Sequence, residues 1–179
     1  MSRFGRAWRL FGVVFFNSIG TYIPFHTVRI GLLRIWGAKI GKDCSILRGS
    51  TVLDPDKLII GDECSIGFRC LLDARGGLTI GNRVVVASDT QFIAGEHLVN
   101  TSDFRYVLKP ILVEDYVWLA SRVTVLCGVT IGYGAVAAAC ALVRKDVGSM
   151  EIVAGVPAKV VGKREAELDY SPVFRPWGY

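Results

Sequence analysis

Aliphatic residues return at every sixth position along most of this 179-residue chain, and no other property constrains its fold as strongly. The early hexads are Ile40-Gly-Lys-Asp-Cys-Ser45, Ile46-Leu-Arg-Gly-Ser-Thr51, Ile60-Gly-Asp-Glu-Cys-Ser65, Ile66-Gly-Phe-Arg-Cys-Leu71 and Ile80-Gly-Asn-Arg-Val-Val85. After an interruption they resume as Val113-Glu-Asp-Tyr-Val-Trp118, Leu119-Ala-Ser-Arg-Val-Thr124, Val125-Leu-Cys-Gly-Val-Thr130, Ile131-Gly-Tyr-Gly-Ala-Val136 and Ala137-Ala-Ala-Cys-Ala-Leu142. A strand this short cannot bury its apolar side alone, but stacking it on its equivalent one coil away does, so the periodicity demands a solenoid. Leading positions 40, 46 and 52 recur at 60, 66 and 72 and again at 80, 86 and 92, a repeat of 20, which falls to 18 from 113 to 131. Three hexads close one triangular turn. The two extra residues of the early coils fall in Asp54-Pro-Asp-Lys57 and Ala74-Arg-Gly-Gly77, both turn-forming sequences. The leading residue of each hexad is expected to point inward. The fifth is expected inward too, near a corner, and therefore small: Cys44, Cys64, Cys70, Val84, Val117, Val123, Val129 and Ala135.

Between Phe92 and Ile111 the hexads stop. The stretch from Ala94 to Pro110 is long for a loop in a compact repeat, and such loops are usually functional or disordered. Two aromatics and a histidine within it favour a folded, functional loop. After Val147, Ile152-Val-Ala-Gly-Val-Pro-Ala-Lys-Val-Val161 reads as a closing turn and strand, Arg164–Tyr170 as a short capping helix, and Ser171–Tyr179 as an irregular tail.

The net charge of +5 is unevenly spread. Arg3, Arg6, Arg9, Arg29, Arg34 and Lys39 stand in residues 1–39 without one Asp or Glu, leaving 15 bases and 16 acids in the rest. The repeat body is thus nearly neutral, which removes the electrostatic footing for nucleic-acid binding. The basic, apolar N-terminal segment, expected to be amphipathic and helical, points instead to an anionic lipid surface. Its uninterrupted apolar run, Leu10 to Phe16, is far short of the ~20 residues of a membrane span, and no small-x-small cleavage site follows it. Five cysteines without a CxxC spacing form neither a zinc ribbon nor a disulfide framework, so a reducing cytoplasm is expected.

With the hexads in place, several further runs give the chain a family resemblance over about residues 40–163. They are Gly77-Leu-Thr-Ile-Gly-Asn82, Gly95-Glu-His97 with Ser102-Asp-Phe104, Lys109-Pro-Ile111, Val117-Trp118, Gly128-Val-Thr-Ile-Gly132, Lys145-Asp146 and Ile152-Val-Ala-Gly-Val-Pro-Ala-Lys159. In these the chain resembles the hexapeptide-repeat acyltransferases, specifically the sugar and polysaccharide O-acetyltransferase branch. The resemblance implies an all-β left-handed parallel β-helix, a homotrimer with sites between neighbouring prisms, and acetyl-CoA as acyl donor. The hand comes from the resemblance alone, since parallel crossovers ordinarily turn the other way.

Acetyl transfer to a hydroxyl needs a base for the hydroxyl proton and donors for the developing oxyanion. Of the two histidines, His97 lies in the irregular loop and matches the family's catalytic base, a role that suits an imidazole. His26 lies outside the repeat, where contact with headgroups or the first coil is expected. By resemblance Ser121 marks the oxyanion N–H and a contact to the pantetheine arm, Ala139 is a small residue beside the adenine arm, and Lys145, Lys159 and Lys163 meet the coenzyme phosphates. Trp118 either flanks the thioester arm or packs between subunits. Asp73 falls near the family's acceptor carboxylate, and Arg69 joins it as an acceptor contact. The chain departs from the family at Ala138-Ala-Cys140, where Gly-Ala-Gly is frequent, and at Gly67-Phe-Arg69, which lacks the Asn that holds the sugar in simple galactoside and maltose acetyltransferases. A polysaccharide or lipid-linked glycan precursor at the inner face of the cell membrane is therefore the expected acceptor. N-acylation of an amino sugar on a nucleotide-linked precursor is the alternative. Metal-dependent β-helix enzymes need three His ligands and this chain has two His in all, so no metal is expected. A scaffold in which the hexads only stack would need neither the His loop nor the cationic end.

Overall fold

The computed structural model describes residues 3–176, without the side chains of 3, 4 and 6. Arg3 and Arg6, two of the N-terminal cations, and the end of the tail at 177–179 therefore lie outside the described side chains and residues.

Residues 39–143 wind as a parallel β-solenoid with three faces. The first face stacks Lys39–Ile40, Leu58–Ile60, Leu78–Ile80, Ile111–Val113 and Thr130–Ile131. The second stacks Ser45–Ile46, Ser65–Ile66, Val85–Val86, Trp118–Leu119 and Val136–Ala137, and continues through Glu151–Ala154 to Lys159–Lys163. The third stacks Thr51–Leu53, Leu71–Asp73, Gln91–Ile93, Thr124–Leu126 and Leu142–Val143. The pairings Ile40↔Ile60↔Ile80 and Val113↔Ile131 reproduce the change in coil length read from the sequence. Leading residues such as Ile46, Leu72, Phe92, Leu119 and Val125 are fully buried, and so are all eight small fifth-position residues. Cys44, Cys64 and Cys70 are thus packing residues, and burial pushes the Cys70 thiol up to about 12.

The extra residues of the early coils stack on one corner, between the third face and the first. There Pro55–Lys57 forms a single 3-10 turn after Asp54, and the Gly77 N–H closes a turn on the Ala74 carbonyl at 2.8 Å. The 94–110 excursion leaves the solenoid at this same corner one coil later. Gly76 admits it, since a Cβ there would stand 2.5 Å from the Lys109 carbonyl oxygen.

A helical cap covers the open N-terminal end of the solenoid. It consists of α1 (Arg3–Ser18) and α2 (His26–Ile35), joined through the 3-10 turn Gly20–Tyr22. A solenoid end exposes unpaired backbone groups on every face, and the cap supplies one side chain to each. Arg34 donates to the Ile40 and Gly41 carbonyls on the first face at 2.7 and 2.8 Å. Arg29, fully buried, donates to the Ile46 carbonyl on the second at 2.8 Å. Asn17 both donates to and accepts from the Val52 backbone on the third, at 2.9 Å each way. Burial, with Arg48 nearby, pushes the Arg29 guanidinium down to about 10, which leaves it charged at neutral pH. Arg9 bonds Asp56 on the corner turn. Three of the six N-terminal cations are therefore spent on holding the cap, which weakens the electrostatic argument for a lipid surface. The outer side of the cap still exposes Trp8, Leu10, Phe11, Val14 and Ile19. Among the described residues no helix is long and apolar enough to cross a membrane.

The C-terminal segment departs from expectation. No helix forms over Arg164–Tyr170; the segment runs irregular and without helical turns back along the solenoid. Arg164 donates to the Tyr116 carbonyl at 3.1 Å and the Tyr170 hydroxyl at 2.8 Å, and Arg175 reaches Asp43 at 2.8 Å and His26 at 3.2 Å. The tail thus spans from the late coils to the N-terminal cap. The side-chain bonds of Arg164 and Arg175 hold it in this open path. His26 meets this tail, and its imidazole pKa is lowered by burial and by the positive charges of Arg175 and Arg29.

Candidate active site

The excursion at the third corner is a β-hairpin. Gly95–His97 pairs antiparallel with Tyr106–Leu108, in register Gly95↔Leu108 and His97↔Tyr106. Gly95 leaves room for the Tyr106 side chain, whose hydroxyl lies 1.9 Å from where a Cβ would stand. His97 is exposed, stacked on the Phe104 ring at 4.5 Å and 10° and tilted against the Tyr106 ring at 5.2 Å. Its Nδ1 lies 2.8 Å from the Phe104 carbonyl oxygen. A carbonyl only accepts, so this contact assigns the proton to Nδ1 and leaves the Nε2 lone pair free as a base. The Phe104 carbonyl is aimed by a left-handed backbone, φ 44°, uncommon for an aromatic residue. Lys109 and Glu96 pair across the hairpin base.

Trp118, Ser121 and Ala139 come together elsewhere, on an open apolar groove of about 730 Å³ along the second face. Its floor is a column of alanines, Ala87, Ala120 and Ala138, one from each successive coil, and Arg164 closes one wall. That volume lies within the ordinary range of small-ligand sites. Arg164 was not legible as a groove residue, because only the return of the tail brings it there. At the groove corner the Ala120 N–H donates to the Ala137 carbonyl at 2.9 Å and the Arg122 N–H to the Ser88 carbonyl at 3.0 Å. Among the described residues no acceptor meets the intervening Ser121 N–H. Lys145, Lys159 and Lys163 are exposed at the C-terminal end of the prism.

The hairpin stands between the third and first faces, while the groove lies on the second. In a three-faced prism those positions are opposite, so one chain does not bring His97 to the groove. Arg69 sits at the groove-side corner, bonded through two contacts of 2.8 and 3.0 Å to Asp89 one coil away. Asp73 differs from its expected role. It is 1% exposed, and both carboxylate oxygens are taken, by Arg75 Nε and Nη2 at 2.8 Å each and by the Ala94 N–H at 3.1 Å. It anchors the root of the hairpin and is closed to an acceptor. Among the described residues no group of His, Cys, Asp or Glu is arranged to hold a metal ion.

A three-faced hexapeptide solenoid with a histidine hairpin and an alanine-floored groove defines a class of acyl-transfer protein. No family model matches the chain. WcaF of Escherichia coli (strain K12), which its name assigns to colanic acid biosynthesis as an acetyltransferase, is 35% identical over 136 residues, 76% of this chain and 75% of its own. A hexapeptide-repeat acetyltransferase of Vibrio cholerae O1 biovar eltor, solved with acetyl coenzyme A, superposes with a TM-score of 0.79 at 26% identity, covering 90% of this chain and 88% of that one. A galactoside acetyltransferase solved with coenzyme A gives 0.79 at 23% identity, covering 96% and 90%, a likeness of fold. The chain belongs to the hexapeptide-repeat acetyltransferases.

Proposed function

We propose that the protein transfers the acetyl group of acetyl-CoA to a sugar hydroxyl of a polysaccharide or lipid-linked glycan precursor, in a site shared between two chains of a homotrimer. The observation that carries this reading is the Nδ1 contact to the Phe104 carbonyl, which supports His97 as the base by leaving its Nε2 lone pair available. Nε2 takes the hydroxyl proton as the sugar oxygen attacks the thioester carbon. The Ser121 N–H donates to the resulting oxyanion, a role its lack of an acceptor among the described residues supports. Collapse breaks the carbon–sulfur bond, and the imidazolium returns the proton to the departing thiolate, giving ester and free coenzyme A. The alanine floor suits the pantetheine arm lying against Trp118, with Ala139 beside the adenine end and Lys145, Lys159 and Lys163 near its phosphates. Since hairpin and groove oppose each other in one chain, the reading requires the hairpin of one protomer to face the groove of its partner.

Mixed trimers test this. Chains carrying His97→Ala and chains carrying Ala139→Trp are each expected to be inactive alone. Co-refolded, random assortment pairs an intact hairpin with an intact groove at roughly a quarter of sites, so acceptor-dependent thiol release should return to about a quarter of wild type. No recovery in demonstrably mixed trimers would place the site within one chain. Alkali-labile product separates the ester from the amide expected of N-acylation.

The exposed Trp8 and Phe11 side of the cap is proposed to rest on the inner leaflet, three copies adding avidity. The protein should float with anionic vesicles, and Trp8→Asp with Phe11→Asp should release it. Equal flotation of both proteins would remove the membrane from the reading.

A further inference from the structure

Resting on the acetyl-transfer reading, we infer that Arg75 receives an oxyanion of the acceptor, a sugar carboxylate or phosphate, beside His97. The Asp73 carboxylate, which the resemblance implies as an acceptor contact, is buried beside the hairpin root, and Arg75 covers it. What this corner presents at the surface is therefore a donor-only guanidinium, which suits an anion.

Arg75 is unusually fixed for a partly exposed arginine. Its Nε and Nη2 both donate to Asp73 at 2.8 Å, and its guanidinium carbon lies 5.7 Å from the centre of the Tyr106 ring. Tyr106 is the cross-strand partner of His97 and touches it at 5.2 Å, so a single aromatic ring is the common neighbour of guanidinium and imidazole. Two N–H groups on Nη1 and one on Nη2 remain, and no acceptor meets them among the described residues. With 41% of the side chain exposed, that edge is open. Free arginine side chains lose rotamer entropy on binding, but here Asp73 behind and Tyr106 beside have already ordered the fork. A fork held in one plane matches a carboxylate or phosphate in two-point contact.

The corner is electrically balanced. Arg9, Lys57 and Arg75 stand with Asp54, Asp56 and Asp73, and the Lys57 ammonium donates to the Arg75 carbonyl at 2.8 Å. Attraction is therefore short-ranged, and discrimination comes from hydrogen-bond geometry more than from a long-range field. A tenfold effect, the low end for charge-assisted hydrogen bonds, is expected.

The test uses acidic bacterial oligosaccharides, the same oligosaccharides with uronic carboxylates reduced to alcohols, and glucose 1-phosphate beside methyl glucoside. Acceptor-dependent thiol release and calorimetric binding in the presence of coenzyme A are read on wild type, Arg75→Lys and the double variant Asp73→Asn with Arg75→Gln. The double variant replaces the ion pair by a neutral hydrogen-bonding pair, which protects the fold. Wild type should favour the anionic member of a pair about tenfold in kcat/KM or affinity. Preference for the uronate pair alone names the carboxylate as the source, and for the phosphate pair alone the phosphate. The double variant should lose the preference and Arg75→Lys keep a fraction of it, while coenzyme A binding is unchanged in both. Equal use of charged and neutral members by wild type, with activity still dependent on His97, overturns the inference and leaves the acetyl-transfer reading standing. A preference that survives the double variant also overturns it. Thiol release that no acceptor stimulates removes both.

Discussion

Replacing His97 with alanine is expected to lower kcat for acetyl transfer by about 10²–10⁴ while leaving acetyl-CoA binding within twofold of wild type. The magnitude is the usual loss when a general base is removed. The separation of effects follows from the shared-site reading: the residues that would hold acetyl-CoA, such as Trp118, Ala120 and Ala138, line a groove to which the substituted hairpin contributes no residue in its own chain. Two consequences sharpen the measurement. His97→Gln retains a polar side chain of similar reach but no basic nitrogen at neutral pH, and should be as inactive as alanine. Phe104→Gly keeps the carbonyl that receives Nδ1–H and relieves the left-handed backbone, but removes the stacked ring; it should cost less than either. Steady-state thiol release with thermal melts for each variant checks this. A His97→Ala protein within tenfold of wild type would show that the proton leaves by another route.

The solenoid was legible because its core repeats: every inward position carries the same small set of residues, and a coil-length change of two residues survives in the numbering. The histidine hairpin was legible only as a break in that repeat. Gly95 leaves room beside it for the Tyr106 side chain, and nothing in the local pattern announces that contact. Other features were hidden for related reasons. Arg164-Glu-Ala-Glu-Leu168 has good intrinsic helix propensity, but the bonds of Arg164 to the Tyr116 carbonyl and Tyr170 hydroxyl favour an open path along the prism. The basic N-terminus looked like a lipid-facing charge cluster, whereas Arg29 and Arg34 satisfy backbone carbonyls at the solenoid end. A carbonyl left unpaired by architecture has no sequence signature. Arg75 reads as a turn residue, since what sets it apart is the Tyr106 ring that the hairpin brings beside it.

The second large effect concerns the root of the hairpin. Asp73→Ala is expected to destabilise the protein by about 3 kcal/mol, because it strands a guanidinium and leaves the buried Ala94 N–H without its acceptor. The upper part of the range for broken buried pairs is not reached, since Arg75 is open to water on one edge. Asp73→Asn keeps an acceptor for Ala94 and should cost about half as much. The pH dependence has a definite sign. Burial alone would raise the Asp73 carboxyl, but the Arg75 guanidinium and the N–H groups of Arg75 and Ala94 hold it below the usual carboxylate range. A carboxyl depressed in the folded state contributes stability that is fully present above its unfolded value, near 4, and is lost as the pH falls through the lower folded value. Urea midpoints for wild type and Asp73→Asn should therefore differ by a constant amount from neutral pH down to about 5 and converge in stronger acid. Because Ala94 begins the excursion that carries His97, the same substitution should loosen the hairpin before the solenoid unfolds. Amide exchange at Gly95–His97 and Tyr106–Leu108 should accelerate while the stacked strands of the three faces stay protected. Uniform acceleration across the chain would mean instead that Asp73 supports the solenoid as a whole, and that the hairpin has no independent anchor.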